Sequence, residues 1–399
     1  MDILKIALVF VLVLIFLSKK APIIAVMPAA SVLLALLFSV SALSFIKAYA
    51  LSLVSSDTLQ LLLTMYLIML LEEIMVRRGY MKRLLSSMDD LFHSKRLNIS
   101  LLPMLIGFMP SAGGALFSAP MVGKAAEGTA LTAEDKTFLN TLYRHVMEIF
   151  FPTYPCIIIT SQMANLPFSR LIPALFPMAV IVFALGQWHL RKLPRHQPFP
   201  MTGRVKMALA LLLSLWPLLS LIVLMLALQI QVYTATAIIL VALILVERLP
   251  VANLPRLIKE STNIRLLLMV LVVMAFKDTL ILCGVMDILP GAIAALPIPS
   301  FLTFSLMAFF ISVTTGMTFA AVGIALPLAL VGVSDMLPTA ALILLSAYCG
   351  VMITPMHLCI TMVAEHFTAD LRSVLAKSLP PYLILYALSV GLFLLLSGL

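Results

Sequence analysis

The chain has 399 residues, 63% of them hydrophobic and 11% charged, with a mean hydropathy of +1.15. Ordinary globular chains are about half apolar and about a quarter charged, so this composition excludes a soluble domain and leaves a polytopic membrane protein. The net charge of +9 is carried by short segments between apolar runs, which reads as membrane topology and not as a nucleic-acid surface.

The first apolar run, residues 4–18, is followed by Lys19 and Lys20 and lacks a basic stretch before it, so it reads as a span and not as a cleavable signal. Further spans are expected over 22–46 and 57–76, the latter ending in Glu72 and Glu73. Residues 80–96 place Met81, Leu84, Leu85, Met88, Leu91 and Phe92 on one helical face, with Lys82, Arg83, Asp89, Asp90 and Lys95 off it. That pattern predicts an amphipathic helix on the cytoplasmic membrane surface. The next apolar stretch, about 98–126, is interrupted by Ser111-Ala112-Gly113-Gly114. Spans over 137–164 and 168–190 follow, the first holding Phe151-Pro152-Thr153-Tyr154-Pro155-Cys156. The second half offers spans over 206–228, 231–247, 264–284, 338–363 and 378–398, with an interrupted stretch at about 300–331.

The two halves answer each other. Gly113 and Gly316 stand 203 residues apart, as do Pro152 and Pro355, and Cys156 and Cys359. Glu72-Glu73 answers Lys277-Asp278 at an offset of 205. A repeat of about 200 residues is therefore expected, with residues 1–196 as the first unit and 197–399 as the second. If each interrupted stretch is a re-entrant hairpin, each half crosses five times and the two halves are inverted. On that topology 22 of the 26 Lys+Arg are cytoplasmic, three are outside, and Lys277 lies within a span. Both termini then lie outside, in a multi-pass protein of the cell inner membrane. The expected fold is all-α: two inverted repeats, each with five spans, a re-entrant hairpin (98–126 and 300–331) and a broken span (137–164 and 338–363).

Irregular backbone within a bilayer leaves polar groups without water, and it survives only where protein or a wet cavity covers it. Ser111, Gly113, Gly114 and Ser118 of the first hairpin are therefore candidates for a substrate or ion site. So are Thr314, Thr315, Gly316 and Thr318 of the second. Close packing of small residues is the alternative. Proline removes a helix hydrogen bond, so Pro152 with Thr153, and Thr354 with Pro355 and His357, mark broken helices facing the hairpin tips. Plain kinks are the alternative. Charges within spans are costly, which makes Glu72, Glu73, Lys277 and Asp278 candidates for cation coupling, against a role only in locking helices. Arg144, His145 and Glu148, near the cytoplasmic start of a span, read either as interfacial anchors or as contacts to an anionic substrate. No catalytic residue is expected: HExxH, GxSxG and Walker A motifs are absent. His145 and Glu148 make only an HxxE, and His357, Cys359 and His366 complete no recognised metal spacing, so neither a metal nor a cofactor is expected beyond H+ or Na+ as coupling ion. The four cysteines form no CxxC pair and read as small buried apolar residues.

PSAGGALFSAPMV at 110–122 and GVMITPMHLC at 350–359, with this arrangement of elements, resemble the ion transporter superfamily. The similarity is greatest to a prokaryotic membrane-protein family of unknown function within it. The resemblance covers nearly the whole chain and implies secondary active transport by homodimers. In dicarboxylate carriers of the superfamily the tips carry Ser-Asn-Thr and bind sodium and carboxylate. The matching positions here read Ser111-Ala112-Gly113 and Thr314-Thr315-Gly316, and the missing asparagines weigh toward protons over sodium. The resulting expectation is a transporter of a small anionic solute, coupled to H+ or Na+. Its partners would be that small molecule or ion and the lipid bilayer, with no nucleic acid. An intramembrane enzyme acting on a lipid-soluble substrate and a passive channel are the alternatives.

Overall fold

The structure, a computed structural model, describes residues 2–19, 21–80, 83, 94–108, 114–193, 204–288 and 298–398. Regular structure among them is entirely helical. The first half holds α1 (Asp2–Ser18), α2 (Ile23–Leu37), α3 (Ala42–Leu53), α4 (Ser56–Arg77), α5 (Lys95–Ile106), α6 (Gly114–Ala125), α7 (Ala133–His145), α8 (Pro155–Met163) and α9 (Phe168–His189). The second holds α10 (Arg204–Leu226), α11 (Val232–Val246), α12 (Leu254–Ser261), α13 (Ile264–Leu282), α14 (Ser300–Thr315), α15 (Thr318–Ala329), α16 (Met336–Val351), α17 (Leu358–His366) and α18 (Leu371–Ser397).

Among the described residues, three helical stretches are long and apolar enough to cross a membrane: Ala42–Arg77, Phe168–His189 and Leu371–Ser397. Seven shorter apolar helices accompany them. Leu36, Leu43, Leu245 and Leu395 stand 70%, 79%, 70% and 79% exposed, so the outside of the bundle is apolar. Such an exterior suits lipid and not water, and it marks a helical membrane protein.

The breaks between helices have local causes. The expected single span over 22–46 is in fact two helices. Ser39 takes a left-handed φ of 55° and Ser41 caps α3 by accepting from the Ser44 N–H at 3.1 Å. A side-chain oxygen aimed at orphan N–H groups starts a new helix, so polar residues inside an apolar run cut it. Two short helices, α3 and α12, were not separately legible as elements. Most of the expected surface helix at 80–96 and the boundary at 196–197 lie outside the described residues.

The caps recur at one spacing. Thr132, Tyr154 and Pro167 precede α7, α8 and α9, and Asp335, His357 and Asp370 precede α16, α17 and α18, each pair 203 residues apart. Packing recurs as well, exchanged between the halves. Helix α2 lies on α13 while α11 lies on α4, and α3 lies on α13 while α12 lies on α4. Helices α5 and α6 pack together, as do α14 and α15. Helix α6 then packs on α17, while α15 packs on α8.

Candidate functional site

The centre of the molecule is where two helix breaks meet the helix pairs α5–α6 and α14–α15. Helix α7 begins at the capping box of Thr132 and Asp135 and runs inward to His145. At 1.5 Å per residue, its last turn lies about 18 Å from its start, deep in the bundle. The chain tightens there into the 3-10 turn Met147–Ile149 and crosses Pro152, and Pro155 opens α8. Proline suits a first helical turn, where its missing N–H costs nothing. The second break runs from the end of α16 through Thr354 and Pro355 to His357, the residue before α17.

The breaks are held by close backbone contacts. A Cβ added at Gly107 would lie 2.2 Å from the Arg144 carbonyl oxygen. At Gly350 it would lie 2.3 Å from the Phe309 carbonyl oxygen and 2.1 Å from Ser312 Oγ. Only glycine lets the helices cross this closely. Gly316, with φ +67°, ends α14 in the left-handed region, and a Cβ there would lie 2.4 Å from the Met356 carbonyl oxygen. Thr354 Oγ1 donates to the Val313 carbonyl at 2.6 Å, tying the second break to this turn.

Polar side chains gather between these elements. Arg144 and His145 are each 2% exposed. Of their two readings, anchors at the membrane surface or contacts to an anionic substrate, the first gives way to a place in the interior. Glu148, on the 3-10 turn, accepts a hydrogen bond from Thr318 Oγ1 at 2.6 Å, which joins the first break to the start of α15. His145 Nε2 stands 4.0 Å from Glu148 Oε2 and 3.5 Å from an Arg144 nitrogen. The His145 and His357 rings meet edge to face with centroids 4.7 Å apart. Tyr154 Oη donates to the Gly107 carbonyl at 2.6 Å, and Cys156 Sγ to the Glu148 carbonyl at 3.7 Å. Glu72 reaches this centre electrostatically through Arg144, and its Oε1 is buried with no hydrogen-bond partner among the described residues. Thr153, in the first break, is buried with its hydroxyl likewise unpartnered.

The remaining expected site residues are distributed differently. Ser111 and Gly113 lie outside the described residues, and Gly114 opens α6. Ser118 is fully buried in α6. Thr314 and Thr315 turn their hydroxyls back to the Ile311 carbonyl, at 2.9 and 2.8 Å, and so finish α14. Pro152 is buried and Pro355 exposed. Glu73 pairs with Arg77 at 2.5 Å, and Arg77 also pairs with Glu260 of α12. Asp278 instead pairs with its neighbour Lys277 at 3.4 Å and accepts from Ser52 Oγ at 2.5 Å. Glu73 and Asp278 thus serve two separate polar contacts, while Glu72 interacts electrostatically with Arg144.

Sequence reasoning overlooked Cys359 as a member of the centre. One ligand atom each from His145, His357 and Cys359 lies within 4.8 Å of the others, and all three residues are buried. His145 and His357 are 212 residues apart, which is not the repeat spacing, so no periodicity could have paired them.

The fold and its centre define an all-helical membrane protein with charged and polar side chains enclosed where helices break. The chain belongs to the family described as protein of unknown function (DUF401), whose profile matches residues 3–396. No curated protein matches it.

Proposed function

We propose that this protein is a secondary active transporter of a small anionic solute, built from two inverted repeats of five crossings and moving its solute by alternating access. The observation that carries the reading is the Arg144–Glu148–Thr318 cluster, assembled by both halves at a helix break. A buried guanidinium offers a planar donor set for carboxylates and oxyanions. Buried carboxylates within reach of it, Glu148 and Glu72, are groups that can load a proton or a cation as the anion binds. The equal spacing of the caps and the exchanged packing, α6 on α17 and α15 on α8, support a pseudo-two-fold relation between the halves. In that arrangement α5–α6 and α14–α15 are hairpins entering from opposite faces of the inner membrane. The termini lie outside, and a homodimer carries the moving parts against a scaffold. Glu73 and Asp278 then sit at opposite ends of the inverted frame, so coupling falls to Glu72 and Glu148.

Reconstitution into proteoliposomes tests this. Under an imposed proton or sodium gradient, a panel of small carboxylates and oxyanions is expected to contain one class that accumulates. That accumulation should collapse when the gradient is dissipated, and Arg144→Gln should abolish it. Equilibration without gradient dependence would instead define a channel.

A further inference from the structure

We propose that His145, His357 and Cys359, completed by Glu148, form a resident binding site for a zinc-class divalent cation that clasps the two helix breaks together.

The ligand chemistry is that of a borderline-soft metal: two imidazoles, one thiol and one carboxylate. The imidazole nitrogens are already sorted. His145 Nδ1 lies 2.7 Å from the Thr141 carbonyl and His357 Nδ1 lies 3.1 Å from the Val351 carbonyl. A carbonyl can only accept, so each Nδ1 carries the proton and each Nε2 keeps its lone pair. Orientation of a metal-bound histidine by a backbone carbonyl on its other nitrogen is the usual outer-shell arrangement. Cys359 sits in the first turn of α17, buried with both imidazoles. Glu148 Oε1 is held by Thr318, which leaves Oε2, 4.0 Å from His145 Nε2, as the fourth donor.

The dimensions allow closure. Around a tetrahedral centre with bonds of about 2.0–2.3 Å, ligand atoms stand roughly 3.3–3.8 Å apart. The three ligand atoms of His145, His357 and Cys359, up to 4.8 Å apart, close to this by movements of about 1 Å, and Glu148 swings in from its place 4.0 Å from His145 Nε2 to complete the set. The Arg144 nitrogen 3.5 Å from His145 Nε2 must turn aside, toward Glu72 or Glu148. Binding breaks the Cys359 S–H bond, forms a metal–sulfur bond and releases one proton to solvent. Because His145 closes α7 while His357 and Cys359 belong to the second break, the ion joins the halves.

This inference shares Glu148 with the transport reading, whose coupling then falls to Glu72, but it concerns cation binding by the purified chain and shares no readout with uptake. Detergent-purified full-length protein, stripped with a chelator, is titrated with Co2+ and then Zn2+. One Co2+ per chain is expected, with a thiolate-to-cobalt charge-transfer band that Zn2+ displaces. Zn2+ should remain bound through gel filtration and raise the Tm. Cys359→Ser, a one-atom change, should lose the band and the Tm shift, while Cys283→Ser keeps both. His145→Ala and His357→Ala should weaken binding by more than the roughly 10–100-fold that loss of an outer-shell partner costs. A wild-type protein without the band, a band that survives Cys359→Ser, or Zn2+ that washes off on gel filtration would each overturn the proposal.

Discussion

The two helix breaks share a frame and differ in charge. Shifted by 203 residues, Pro152 falls on Pro355, Tyr154 on His357 and Cys156 on Cys359. The same shift puts Arg144 on Ala347 and Glu148 on Val351, so the charged groups of the first break meet small and apolar residues in the second. The glycines that allow close crossing are also exchanged. In the first half the glycine is on the helix pair (Gly107, against Arg144), and in the second it is on the broken helix (Gly350, against Phe309). Helix breaks that recur at one spacing are thus held by different residues, while the chemistry is concentrated on one side of the centre. The uncharged break contributes Thr354, which donates to the Val313 carbonyl of α14, and His357, whose Nδ1 meets the Val351 carbonyl at the end of α16.

The largest effect should come from removing the charge that has no counterpart. Arg144→Met leaves Glu72 and Glu148 without their guanidinium and is expected to destabilise by about 3–5 kcal/mol, as loss of one member of a buried ionic group does. Thermal unfolding in detergent measures it, and adding Glu72→Gln should recover part of the loss. If Arg144→Met unfolds like the wild type, the asymmetry has no energetic weight.

The exchanged glycines come next. Gly107→Ala and Gly350→Ala each force a carbon against a backbone oxygen, and each should cost about 1–3 kcal/mol. Gly391→Ala, with nothing within 4 Å of its new carbon, should leave the Tm within about 1 kcal/mol of wild type. Equal stability of all three variants would mean that the crossings are looser than described.

Of similar size are the side-chain bonds that tie each break to α14 and α15. Thr318→Val removes the donor to Glu148 and should cost about 1.5–3 kcal/mol, because the acceptor is charged. Thr354→Val removes a donor to a neutral carbonyl and should cost about 0.5–1.5 kcal/mol. The reverse order, read from paired unfolding curves, would contradict the assignment of charge to the first break.

The smallest effect lies at the surface end of α7. Burial alone would raise the Asp135 carboxyl, but Lys377 of α18 and the hydrogen bonds from Thr132 outweigh it and hold it below its ordinary value of 3.8. A carboxylate depressed in the folded state stabilises above its unfolded pKa, and the contribution is lost as pH falls through the folded one. Wild-type Tm should therefore gain an acid-limb decline below about pH 4 that Asp135→Asn lacks. The second half has Pro338 at the matching position and offers no such titration.

The parts of this structure that were legible in the sequence are those set by local chemistry. Prolines 152 and 355 and the interrupted apolar stretches announced departures from regular helix, because proline and glycine act on their own backbone. The depth of Arg144 was not legible. It follows from where the Thr132 cap starts α7, which sends twelve residues inward before the break. The gathering of His145, His357 and Cys359 was hidden for another reason. It depends on α7 meeting α17 across the two halves, and no spacing within one segment encodes that contact. Glu73 stood out as readily as Glu72 on composition, and only their surroundings separate them: Glu73 pairs with Arg77, while Glu72 lies in the field of Arg144.

The exchange of packing between halves has a consequence for synthesis. The bond from Thr318 to Glu148 joins residues 170 apart, and α8 finds its partner α15 only after most of the second half has been made. While the ribosome is still extending the chain, Arg144 and Glu148 belong to an unfinished first half whose covering helices do not yet exist. Their charges must therefore be kept hydrated, or shielded by the insertion machinery, until α15 and α17 arrive. A nascent protein halted before residue 318 would hold Arg144 and Glu148 together, but without Thr318 and the helices that cover them.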